Sequence, residues 1–107
     1  MSLYLVEASY TPEAIAALVK NPQDRAEAIR PLVEKLGGKL HGFWFTYGDR
    51  DIVAIAEFDD PAAAVGFGMA VGQSGAMKRY ATTPLMTPAE AMKAMRRAAE
   101  VAYKPPR

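Results

Sequence analysis

Residues 40–58 read Leu-His-Gly-Phe-Trp-Phe-Thr-Tyr-Gly-Asp-Arg-Asp-Ile-Val-Ala-Ile-Ala-Glu-Phe, and this stretch decides the fold. Two runs rich in aromatic and β-branched residues flank the short turn Gly48-Asp49-Arg50-Asp51, the pattern of a β-hairpin. A two-residue loop at Asp49-Arg50 sets Tyr47 against Ile52, Phe45 against Ala54, Phe43 against Ala56 and His41 against Phe58. Large rings then lie over small partners, as cross-strand packing favours. The opposite face carries Trp44, Thr46, Val53 and Ile55 and is apolar too. Both faces of the hairpin therefore need cover.

Upstream, Ser2 to Tyr10 alternates as a strand, with Tyr4, Val6, Ala8 and Tyr10 on one side and Leu3, Leu5, Glu7 and Ser9 on the other. Thr11-Pro12 opens a helix with an N-cap and a proline at its first position, and Ile15, Leu18 and Val19 form its apolar face. Asn21-Pro22 repeats the device. It predicts a helix from Pro22 to about Leu36, kinked at Pro31, burying Ala26, Ile29, Val33 and Leu36, and ended by Gly37-Gly38.

Downstream, Asp60-Pro61 opens a helix whose Gly66 and Gly68 imply close approach to a neighbour, since each glycine weakens a helix by about 1 kcal/mol relative to Ala. A break follows at Gly72 to Gly75, then a strand over Ala76 to Thr83. Thr87-Pro88-Ala89-Glu90 is a capping box that starts a last helix, with Met92, Met95 and Ala99 on its apolar stripe. The order is βαββαβ, the ferredoxin-like pattern, with an added C-terminal helix. It predicts an α+β fold with a four-stranded antiparallel sheet and helices on one face. The other face is too apolar to leave in water, and a second copy of the chain is the simplest cover.

The chain has 107 residues, enough for one domain, expected over 1–102 with 103–107 as a flexible tail. Half the residues are hydrophobic and the formal net charge is +1, so nothing steers the protein to nucleic acid or to an anionic membrane. No cysteine and a single histidine exclude a disulfide framework, a thiolate nucleophile and the usual zinc sites. No metal or cofactor is expected. The start runs directly into Leu3-Tyr4-Leu5-Val6 without a basic stretch or cleavage site, and a cytoplasmic location is expected.

The chain also resembles the GYD-domain family of the dimeric α+β barrel superfamily. The resemblance is carried by Tyr4 to Thr11, Leu18 to Arg25, Leu36 to Leu40, the Gly48-to-Asp51 turn, Ser74-Gly75-Ala76 and Thr82 to Leu85. In the turn, Arg50 stands where the family signature has tyrosine. The resemblance implies the fold and a homodimer or higher even oligomer. It implies no activity. Related barrels, monooxygenases among them, hold organic ligands between sheet and helices.

Several residues are candidates for chemistry. His41 is the best catalytic candidate, being the one side chain whose ordinary pKa lies near neutrality. Against that stands an edge histidine bonded to backbone or solvent. Gly48, Asp49, Arg50 and Asp51 form either a turn held by its own aspartates or a polar site with Arg50 as a carboxylate clamp. Glu7 and Glu57 each interrupt an apolar face on strands expected to be neighbours. They read as an acid/base pair, or as carboxylates paired with Lys78, Arg79 or a partner's base. Tyr10, Trp44, Tyr47 and Tyr80 are expected to wall a pocket.

Gly66-x-Gly68 with Gly72 lacks the spacing of a phosphate loop. Gly42-Phe43-Trp44-Phe45 departs from the aromatic RNA-binding motif at its basic and small positions. The reading is therefore a small oligomeric domain that binds an organic molecule between sheet and helices. The alternatives are a non-catalytic interaction or scaffold module, and a cofactor-free oxygenase-like enzyme.

Overall fold

The computed structural model describes residues 2–46 and 48–106. The elements run β1 (Ser2–Tyr10), α1 (Pro12–Lys20), α2 (Arg25–Lys35), β2 (Lys39–Phe45), β3 (Ile52–Phe58), α3 (Pro61–Gly72), β4 (Met77–Pro84) and α4 (Pro88–Ala98). The four strands form one antiparallel sheet in the order β2-β3-β1-β4. This is the expected ferredoxin-like α+β arrangement.

Four helices begin where a short polar side chain accepts a backbone N–H. Thr11 caps α1, Asp60 caps α3, and Thr87 with Glu90 completes the capping box of α4. The second helix differs from the expectation. It starts at Arg25, because Asp24 and not Asn21 is its cap, its carboxylate accepting from the Glu27 N–H at 3.2 Å. Asn21 instead closes α1, donating its N–H to Ala17 O. α2 continues through Pro31 and ends in a Schellman motif: Gly38 N–H reaches Val33 O, Gly37 N–H reaches Glu34 O, and Gly37 takes φ +80°.

The hairpin register also differs. Phe45 faces Ile52, Trp44 faces Val53 and Phe43 faces Ala54, two residues from the expected pairing. The cause is a longer turn. Thr46 N–H donates to Asp51 O, so the connection spans 47–50 instead of two residues. A shift by two keeps every side chain on its expected face. A second irregularity does not. Between Leu40 and Gly42 the register slips by one, leaving His41 as an extra residue, a β-bulge. The bulge turns Leu40 into the core, where it is 4% exposed, and puts His41 across the sheet from Phe43, contrary to the expectation that they share a side.

The core lies between the sheet and α2 and α3. Tyr4, Val6, Leu40, Ala54, Ala56 and Phe58 face Val33 of α2 and Ala64 and Phe67 of α3. Gly68 lets α3 approach β4, since a Cβ there would stand 2.9 Å from the Tyr80 ring; Gly66 faces open space. The expected apolar stripes of α1 and α4 are largely uncovered, with Val19 74% and Met95 66% exposed. α4 packs closely on no other element among the described residues. Its projection makes the molecule long, 56 × 36 × 23 Å, with a radius of gyration of 17.1 Å against about 13 Å for a compact chain of this length.

Candidate functional site

α2 packs on β2 and α3 on β4, the two edges of the sheet. The central strands β3 and β1 are left between them. There they carry Ala8, Ala54 and Ala56, short side chains that are buried beneath the helices. Between α2 and α3, at the Tyr10 end of the sheet, lies an open-sided cavity of about 500 Å³. Its floor is Tyr10, Phe43 and Ile52; α2 contributes Ile29, Leu32 and Leu36, and α3 contributes Phe67, Ala70 and Val71. Polar groups are few: Tyr10, Arg25, Lys35 and Ser74. A smaller space of about 30 Å³ lies deeper, against Val33, Ala56 and Tyr80.

Tyr10 is 5% exposed, with its ring stacked on Phe45 at 6.3 Å. Burial raises its pKa above 10.0, while the charge of Arg25 and hydrogen bonding to it pull the other way. Burial also raises the pKa of Tyr80 while the nearby Thr82 side chain pulls it down, and the hydroxyl is buried without a hydrogen bond of good geometry among the described residues.

The Gly48-to-Asp51 turn is bound to the end of β1. Asp51 Oδ2 accepts the Tyr10 N–H at 2.8 Å, Asp51 N–H donates to Ala8 O, and Ser9 Oγ donates to Asp49 O at 2.9 Å. Thr46 Oγ1 donates to Arg50 O within the turn. Gly48 takes φ +129°, a conformation that side-chain-bearing residues rarely adopt. These bonds give the Asp51 side chain and the Asp49 backbone carbonyl structural work at the place where β1 hands over to α1. Arg50 is half-buried and does not line the cavity.

The other candidates lie across the sheet. His41 Nε2 stands 2.7 Å from Glu57 Oε1, so the imidazole donates to the carboxylate. Glu7 is not part of this pair. Glu7 faces Val53 while Glu57 faces Leu3, four residues apart along β3, or about 13 Å. Trp44 is 53% exposed on the same open face, its indole lying over Gly42, where any Cβ would overlap it. Leu5, Val53 and Ile55 complete an apolar surface around it. Tyr47 lies outside the described residues.

The expected pocket wall is thus divided. Tyr10 lines the cavity, Tyr80 lines the deeper space, and Trp44 and His41 are on the opposite face. Arg25 and Lys35 escaped the sequence reading. The signal that finds them is the helical spacing of Arg25, Ile29, Leu32 and Leu36, which sets all four along one face of α2. Among the described residues no cluster of three or more His, Cys, Asp or Glu side chains is placed to hold a metal ion, and no helix is long and apolar enough to cross a membrane.

The model of the GYD domain matches residues 4–95, and the chain belongs to this family. Comparison with curated proteins and with solved structures gives no match.

Proposed function

We propose that this member of the GYD family binds a small organic molecule in the cavity between the sheet and helices α2 and α3. The supporting observation is the cavity itself. Its volume of about 500 Å³ lies within the range of small-molecule sites, and its mostly apolar lining with a few polar groups is the usual ligand architecture. Binding, not turnover, is the reading, since His41 is on the far side of the sheet from the cavity.

The protein works as a homodimer joined through the open sheet face. Leu5, Trp44, Val53 and Ile55 form a continuous apolar surface there, of the kind that monomers seldom leave in water. The same surface favours the second reading, an oligomeric interaction module in which the cavity is incidental.

Native mass spectrometry of protein purified from its own host separates the two. The expected result is a retained small molecule on the wild type that is lost from Ala70→Trp, which adds an indole at the cavity mouth. An identical unliganded mass for both proteins, with no small molecule released on denaturation, would overturn the ligand reading and leave the interaction module.

A further inference from the structure

We infer that the cavity ligand is an amphipathic carboxylate, an apolar body whose anionic head is held by Arg25 and Tyr10. This rests on the cavity being a binding site, as proposed above, and adds the class of molecule it takes.

Charge in the lining is one-sided. Arg25 and Lys35 are cationic, and no aspartate or glutamate lines the cavity among the described residues. The nearest carboxylate to Tyr10, that of Asp51, is engaged by the Tyr10 backbone N–H. Neither cation forms an ion pair among the described residues, where the ion pairs are Arg30 with Glu27 and His41 with Glu57. Arg25 holds the neutral Gln23 side chain through one terminal nitrogen at 2.7 Å, which leaves most of its five donors for a ligand.

The two cations stand at opposite ends of α2, ten residues or about 15 Å apart along the helix, with Ile29 and Leu32 between them. A ligand lying along α2 therefore meets charge at its end and hydrocarbon along its length. The head belongs at the Arg25 end. There the guanidinium is half-buried and presents the forked donors that match a carboxylate, and the buried Tyr10 hydroxyl is a neighbouring donor. Lys35 is exposed, so water competes for its charge.

An apolar helix from a second copy is the rival occupant of such a groove. The most detached helix among the described residues is α4, which carries Lys93, Arg96 and Arg97 against Glu90 alone. That net positive charge opposes Arg25 and Lys35, whereas a carboxylate complements them.

The test uses N-phenyl-1-naphthylamine, a neutral dye that fluoresces in apolar sites, with decanoate and 1-decanol as competitors. The dye is expected to bind the wild type and to be displaced by both. Arg25→Gln should raise the decanoate concentration needed for half-displacement about tenfold, the scale of one charged hydrogen bond, and leave that for decanol unchanged. Arg25→Lys, which keeps the charge, should recover part of the loss. In the wild type, added salt should weaken decanoate and spare decanol, a readout independent of any variant's folding. Dye that does not bind, or that neither competitor displaces, would overturn the cavity reading itself. Dye displaced by both competitors, with decanoate indifferent to salt and to Arg25→Gln, would leave the cavity as a site and overturn the carboxylate.

Discussion

The two faces of this sheet are both apolar, and they are finished differently. On the covered face, α2 and α3 stand over the edge strands and leave between them an open-sided cavity floored by Tyr10, Phe43 and Ile52. On the open face, Leu5, Trp44, Val53 and Ile55 form a surface with nothing above it, bordered by the His41–Glu57 pair. A void of a few hundred cubic ångströms suits a small molecule, while a broad apolar surface needs something as large as another sheet. In the function proposed above, the covered face takes a ligand and the open face a partner, from alternate residues of the same strands.

The sharpest way to break this contrast is to remove a core side chain that packs behind Phe67 of the cavity wall. Phe58 is fully buried, with Tyr4 edge-on at 5.9 Å and Phe67 at 6.0 Å. Phe58→Ala is expected to cost about 3–5 kcal/mol in urea unfolding. A loss below about 1 kcal/mol, the size of an ordinary surface change, would mean the layer is not packed as described.

On the open face the corresponding change is Ile55→Asp. A carboxylate buried unpaired between two sheets costs several kcal/mol, so the proposed dimer should dissociate while the fold of each chain survives. Sedimentation reads the mass and circular dichroism the fold. A dimer that persists in Ile55→Asp would assign the interface elsewhere.

Tyr80 sharpens the covered side. Its hydroxyl is buried without a partner among the described residues, so Tyr80→Phe is expected to stabilise the protein by about 1–3 kcal/mol, the reverse of the usual loss for removing a bonded hydroxyl. A destabilised variant would show that the hydroxyl is satisfied.

The smallest effect belongs to α4, which packs on neither face within the chain. Thr87→Ala should lower its local stability by about 0.5–2 kcal/mol, seen as lost helicity and not as a shifted unfolding midpoint. Acid should act alike. The Thr87 backbone N–H bonded to the Glu90 carboxylate, with the Thr87 side chain, holds its pKa below 4.5. That contribution is therefore present above 4.5 and is lost as pH falls through the lowered value. Helicity of α4 that is unchanged by acid would show that the box does not form.

How far the residues announced this outcome depended on range. Caps, prolines and glycine stops act within a turn of chain, and Thr11, Asp60, Thr87 and Gly37 were readable directly. The start of α2 was misplaced because Asn21-Pro22 and Asp24 are both acceptable caps, and only the tertiary path chooses. The face of each strand followed from alternation, apart from the β2 bulge, which moved His41 across the sheet. Leu40 and Phe43 held the one clue: two apolar residues three apart cannot share a face of a regular strand, and the extra residue of a bulge turns both toward the core. Tyr10 was legible as a cavity residue because it closes an alternating strand. Arg25 shares the helical spacing of Ile29, Leu32 and Leu36, but its meeting with Tyr10 depends on how α2 lies across the sheet, a geometry that no local pattern encodes.

The central claim, that a ligand sits under the helices and not on the open face, has a built-in pair of reporters. The chain has four isoleucines, and two of them, Ile52 and Ile55, lie on opposite faces of β3. Ile52 and Ile29 line the cavity, whereas Ile55 and Ile15 do not. In protein labelled at isoleucine δ1 methyls, titration with decanoate is expected to shift Ile52 and Ile29 and leave Ile55 and Ile15 in place. Shifts at Ile55 with Ile52 unmoved would put the ligand on the open face and contradict the account.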